Sequence, residues 1–252
     1  MTGGGRATVL VLLGGLLSAV VAGVAPATAG QPVEERGRGD AGRGEQLFTT
    51  GCSSCHGLGA EGTRRAPSLL GVGAAAVDFW VSTGRMPLET SGRVQAVRKP
   101  PAYDREQIDD LIAYVTGLAP GGPPIPRLER AEVDLVEGGT LFRANCAACH
   151  GAVGVGGALA SSLQAPALRP ADAVEIAEAI RIGPGAMPGF GPETFTDDQV
   201  ASIVAYVEYL DHPEDRGGTG LGHTGPIPEG FVGWLAGLGS LLLACYWIGE
   251  RE

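Results

Sequence analysis

Lysine is almost missing from this chain of 252 residues: Lys99 is the only one. The balance is acidic, 28 Asp and Glu against 18 Lys and Arg, for a formal charge of −10. Phosphate backbones require clustered Lys and Arg, so no nucleic-acid partner is expected. Histidine is held to four residues and cysteine to five, which limits the metal chemistry the chain can support. Methionine occurs three times, at Met1, Met86 and Met187, too rarely to serve as general core filler. No alternation of apolar and polar residues stands out as a strand. Gly (42) and Pro (18) are abundant, so loops should be extensive.

Two long apolar runs are present. The first, Ala7 to Val24, follows a single basic residue, Arg6, and ends in Ala27-Thr28-Ala29, a small-x-small cleavage pattern. Residues 1–29 therefore read as an export signal or, uncleaved, as an N-terminal anchor. The second run, Phe231 to Ile248, has Trp234 near one end and Tyr246 and Trp247 at the other, as interfacial belts require. It reads as a transmembrane helix over 231–249. Export would place the body of the protein on the extracytoplasmic face of the cell membrane and the Gly249-to-Glu252 tail in the cytoplasm.

Between these runs the chain repeats itself. Glu45 to Gly57 (EQLFTTGCSSCHG) aligns with Gly139 to Gly151 (GTLFRANCAACHG), and Arg65 to Leu69 (RAPSL) with Gln164 to Leu168 (QAPAL). Each copy carries a Met-Pro pair and closes with a helical stripe, Ile108, Leu111, Ile112, Val115 in one and Val200, Ile203, Val204, Val207 in the other. Asp104 with Gln107, and Thr196 with Gln199, have the spacing of helix-start capping boxes. The organisation predicted is one module at 41–118, a Pro-rich semi-rigid linker at 119–134, a second module at 135–212, a Gly-rich tether at 213–230, and the membrane helix. Each module should be small and mostly α, marginal as a core on its own and in need of a large apolar cofactor.

Each module contains one Cys-x-x-Cys-His run: Cys52, Cys55, His56 and Cys146, Cys149, His150. On a helix these positions share one face, so two thiols can meet the vinyl groups of one porphyrin while the imidazole reaches its iron. This is the attachment run for c-type haem, and it predicts two covalently bound haem c groups on tandem class I cytochrome c domains. A zinc site would need the paired runs 15 to 20 residues apart, and here they are 94 apart. A thioredoxin-like pair would need a βαβ context. Cys245 lies in the membrane run and is read as packing.

An iron held by His56 or His150 needs a second axial group or stays open. Met86 lies 30 residues after His56, and Met187 lies 37 after His150. The proline after each biases it away from helix, into a loop that can fold over the haem as a thioether ligand. With both irons six-coordinate, the expected work is outer-sphere electron transfer. His212 and His223, near or in the tether, read as solvated. Arg85 reads either as a partner for a haem propionate or as exposed surface. Phe79 and Trp80 read as packing on the first haem or on the closing helix, and Tyr114 and Tyr206 as core.

In single-domain c-type cytochromes, which each module resembles, a proline between the haem run and the methionine offers its carbonyl to the haem histidine. The resemblance makes Pro67 and Pro166 candidates for that role, or plain turn prolines. The whole pattern resembles the dihaem cytochrome cc subunit of the actinobacterial cytochrome bcc complex. Its sharper points are Gly71 to Pro87 (GVGAAAVDFWVSTGRMP), Gly138 to His150, Gly225 to Gly230 (GPIPEG) and the terminal WIGERE. The resemblance implies a subunit of a menaquinol–cytochrome c oxidoreductase that holds no substrate site of its own. Its partners would be a cytochrome b subunit, a Rieske iron–sulfur subunit and a haem–copper terminal oxidase. A membrane-tethered dihaem carrier serving another dehydrogenase or oxidase, and a dihaem peroxidase, are the competing readings.

Overall fold

The computed structural model describes residues 36–88, 95–129, 133–211, 213–214, 221–222 and 225–249. The predicted signal or anchor, His212, His223 and the terminal residues 250–252 lie outside the described residues.

The first module starts with α1 (Ala41–Gly51), capped by Asp40, whose side chain accepts from the Arg43 amide. The single turn α2 (Ser53–His56) follows, then α3 (Ala74–Ser82) and the closing helix α4 (Arg105–Leu118). The Asp104–Gln107 capping box expected at the start of α4 is complete in both directions. The second module repeats the order: α5 (Leu135–Asn145), α6 (Ala147–His150), α7 (Ala173–Ile182) and α8 (Asp197–Asp211). Thr196 and Gln199 exchange side-chain-to-amide bonds at 3.1 and 3.2 Å at the start of α8. A two-residue hairpin pair, β1 (Gly157–Ala158) against β2 (Gln164–Ala165), is antiparallel and too short to give an alternating pattern in sequence.

In each module the first helix crosses the closing helix at backbone contact. A Cβ on Gly44 would stand 2.0 Å from the Asp110 carbonyl oxygen, and one on Gly138 would stand 2.0 Å from the Ser202 carbonyl oxygen. The same two positions of the closing helices satisfy the chain entering the first helices. The Asp40 amide donates to Asp110 Oδ1 at 2.6 Å, and the Asp134 amide donates to Ser202 Oγ at 3.1 Å. One turn along, Phe48 and Phe142 are fully buried and meet Tyr114 and Tyr206 at ring-centroid distances of 5.3 and 5.6 Å. Burying each phenyl ring stabilises by roughly 2–3 kcal/mol. The stripes Ile108, Leu111, Ile112, Val115 and Val200, Ile203, Val204, Val207 complete the two cores, as their spacing predicts.

The linker differs from a semi-rigid spacer. Ile125 packs against the first core and Leu128 against the second, and the Pro123 carbonyl accepts from the Ala75 amide at 3.2 Å. Its apolar residues, hidden among four prolines, therefore fasten it to both modules. The modules also meet directly, α3 against α7. At that seam Asp78, fully buried, accepts from Arg105 Nη1 at 2.6 Å and lies 3.5 Å from Arg36 Nη1. Glu178, also fully buried, meets no hydrogen-bond donor at either carboxyl oxygen. Burial, with Asp78 and Asp172 beside it and Arg36 opposing, pushes the Glu178 carboxyl up to about 10. At neutral pH it therefore keeps its proton.

The last helix, α9 (Pro226–Gly249), is 24 residues long, is apolar enough to cross a membrane, and buries nothing against the modules. It begins five residues before the apolar run, inside the expected tether. Pro226 supplies a first-turn φ at no cost in donors, and Glu229 closes that turn on the Gly225 amide at 3.3 Å.

Two outcomes follow from this packing. Gly138→Ala should lower the thermal midpoint of the full chain, at a cost of about 1–3 kcal/mol or more. Gly117→Ala, where an added Cβ meets nothing within 4 Å, should not. Equal midpoints for the two would contradict the close crossing. Glu178 binds its proton more tightly folded than unfolded. Its stabilising contribution is therefore complete below its ordinary value of 4.5 and declines as pH rises toward 10. The decline approaches about 1.4 kcal/mol per pH unit. Glu178→Gln should flatten the thermal midpoint between about pH 5 and pH 9 relative to the parent chain; parallel pH profiles would contradict the protonated seam.

Candidate functional site

The two Cys-x-x-Cys-His runs occupy the same backbone. The Cys52 amide donates to the Phe48 carbonyl at 2.8 Å, and the Cys55 and His56 amides donate back to the Cys52 carbonyl at 3.1 and 3.0 Å. In the second module Cys146 donates to Phe142 at 2.8 Å, and Cys149 and His150 donate to Cys146 at 3.1 and 2.9 Å. Each run is a fresh helical turn started at the end of the first helix, so the buried Phe that anchors the module also anchors the run. Each turn stops at a glycine in positive φ, Gly57 at 86° and Gly151 at 79°. A glycine five residues further on returns its amide to the histidine carbonyl, Gly62 to His56 at 2.7 Å and Gly156 to His150 at 2.8 Å.

The chain that returns from this turn brings a proline carbonyl to each imidazole. His56 Nδ1 lies 2.8 Å from the Pro67 carbonyl oxygen, and His150 Nδ1 lies 3.0 Å from that of Pro166. A carbonyl only accepts, so Nδ1 carries the proton and the Nε2 lone pair is left for a metal. Burial pushes the Cys52 and Cys146 thiols up to about 11, helped by the second cysteine of each run. All five cysteines are free of disulfides. Two cysteines one turn apart, with an imidazole whose orientation is fixed and whose Nε2 is available, make a donor set that suits a thioether-linked porphyrin iron.

Both methionines are half-buried. The Met86 amide donates to the Trp80 carbonyl at 2.8 Å, which ties the Met-Pro pair to the end of α3. Met187 packs against the second core, as do Cys146, Ala147 and Leu168. Phe79 is buried and meets Trp80 edge to face at 5.7 Å. Arg85 is neither exposed nor aimed outward. Its guanidinium lies 4.7 Å over the Phe79 ring and 3.3 Å from Glu175 Oε1 of the second module.

Sequence reasoning missed the acidic residues of the seam. Asp78 interrupts the apolar helix AAAVDFWVS, and Glu175 and Glu178 share one face of AVEIAEAIRI. A charge inside an apolar stripe was the available signal, but only the fold shows that the two helices face each other. Tyr103 was also missed. Its hydroxyl occupies the space that a Cβ on Gly51 would enter, and its phenol is raised by burial and by the neighbouring Cys52.

Comparison with known proteins places one family model on each module. "Cytochrome c" matches residues 41–119, and "Cytochrome C oxidase, cbb3-type, subunit III" matches residues 133–207. The chain is 43% identical over 218 residues to the "Cytochrome bc1 complex cytochrome c subunit" of Mycobacterium tuberculosis (strain ATCC 25618 / H37Rv), covering 83% of this chain and 77% of that protein. It is 38% identical over 227 residues to the protein of the same name in Corynebacterium diphtheriae, covering 83% and 80%. A "Cbb3-type cytochrome c oxidase subunit CcoP" of Azospirillum sp. is 27% identical over 188 residues, covering 66% and 61%.

Proposed function

This chain belongs to the family of cytochrome c subunits of the cytochrome bc1 complex, and on that premise we propose that it is the dihaem member of a menaquinol-oxidising complex, passing electrons from a Rieske iron–sulfur subunit to a haem–copper oxidase. The observation that carries this reading is the twofold recurrence of one complete attachment turn, with cysteines, histidine and supporting proline carbonyl in matching places. Bound haem c supplies one-electron iron chemistry. The chain's residues hold and tune it. Cys52 with Cys55, and Cys146 with Cys149, attach it covalently. His56 and His150 ligate through Nε2, oriented by Pro67 and Pro166. Met86 and Met187 would be the other residues that hold the iron, and a thioether there would raise its potential relative to a second histidine. With both a histidine and a methionine holding each iron, the haems would carry electrons without binding peroxide or another substrate, and the quinol site would belong to a cytochrome b partner.

Helix α9 anchors the modules to the membrane on its extracytoplasmic face, with the terminal residues in the cytoplasm. Beyond Arg6, 28 acidic residues face the remaining 17 basic ones. That surplus favours docking on positively charged partner surfaces. Purification through a tag on this chain in mild detergent, followed by an optical redox difference spectrum, tests the assignment. Bands of b-type and a-type haem should accompany the c-type band. A c-type band alone would overturn the complex and leave a tethered carrier.

A further inference from the structure

The two methionine loops are held by different means. In the second module the hydrogen bonds and ion pair that hold the loop are, among the described residues, local. Arg181 of α7 donates to the Phe190 and Phe195 carbonyls at 3.1 and 2.7 Å and pairs with Asp197. The Phe190 amide donates to the Ile180 carbonyl at 2.8 Å. The loop that bears Met187 is thus closed by its own module.

In the first module the described parts of the loop, residues 84–88 and 95–100, are held from two sides. On the near side, the Met86 amide reaches Trp80 and the Lys99 amide reaches the Thr83 carbonyl at 3.1 Å. On the far side the contacts belong to the second module. Glu175 of α7, 6% exposed, accepts from Arg85 at 3.3 Å and from Arg98 through both carboxylate oxygens. Arg85 precedes Met86, and Arg98 lies on the returning strand of the same loop. Gln95, also on that strand, exchanges a pair of bonds with the Gln164 backbone of β2 at 2.8 and 3.0 Å. One buried carboxylate therefore gathers both arms of the loop, and a polar side chain fixes its return to the second module.

We infer that Glu175 is a positioning residue for the first haem site: it lies in the second module and, through Arg85 and Arg98, holds the loop that presents Met86. The inference rests on the reading of Met86 as an axial ligand. It makes the first iron's sulfur bond dependent on docking of the second module, while the second iron's sulfur bond depends on its own module alone. Loss of the carboxylate leaves Arg85, 9% exposed, buried without its partner. The arginine must then move, and Met86 is the next residue in the chain.

The test uses full-length haem-loaded chain in detergent, in a Met187→His background. There only the first site can show the deep-red sulfur-to-iron charge-transfer band. Met86→His in that background should abolish the band; if the band persists, the ligation reading itself fails. With that established, Glu175→Gln should weaken the band. It should also lower the pH at which sulfur is displaced, by about one unit for each tenfold loss of loop closure. Glu175→Asp, which keeps the charge but not the reach, should fall between Gln and parent. A Glu175→Gln chain with unchanged band and displacement pH, and only a raised potential from the lost negative charge, would overturn the inference. A full haem count in each variant separates these outcomes from misfolding. As a matched control, Glu175→Gln in a Met86→His background should leave the second site's band intact, and loss there would also count against the inference.

Discussion

The contact on which the rest depends is the crossing of the first and last helices of each module at a glycine. Gly44 lies against the Asp110 carbonyl and Gly138 against the Ser202 carbonyl, so close that no side chain fits between. That approach sets the depth at which Phe48 and Phe142 enter their cores. It also fixes where the first helix ends, and the Cys-x-x-Cys-His turn starts there, its first amide bonded to the Phe carbonyl. The attachment chemistry is thereby tied to the best-packed point of the module. A module this small gains little from the breadth of its core, so a tight crossing and a large apolar cofactor have to supply what breadth does not.

The repeat is faithful within each module and broken between them. Amide bonds around the two Cys-x-x-Cys-His turns agree to about a tenth of an ångström, yet the seam joins unlike elements. Two carboxyls, Asp78 and Glu178, are buried at the seam beside arginines from two places in the chain, Arg36 and Arg105. Buried charges are poor sources of net stability, but they punish misalignment severely. A seam of this kind suits a requirement for one fixed orientation between the two modules. The linker, with Ile125 on one core and Leu128 on the other, acts in the same direction.

Much of this was legible in sequence because it is local. The Cys-x-x-Cys-His runs, the apolar stripes of α4 and α8, and the capping residues all act within a few residues of where they stand, and each is present as its spacing predicts. The unread parts are those that depend on pairing at a distance. Arg85 read as a propionate partner or as exposed surface because its carboxylate partner lies 90 positions away. Glu175 and Glu178 drew no reading because nothing in α7 announces that α3 packs against it. The Pro-rich stretch read as a spacer because composition reports stiffness but not attachment. The start of α9 was placed at its first apolar residues, whereas the helix is begun by Pro226 and Glu229.

The central claim is that both modules are loaded through the same turn. Intact-mass measurement of the purified full-length protein, followed by peptide mapping, addresses it most directly. The account predicts two haem additions per chain, one on a peptide with Cys52 and Cys55 and one on a peptide with Cys146 and Cys149. A single addition, or free or disulfide-linked cysteines in either run, would contradict it.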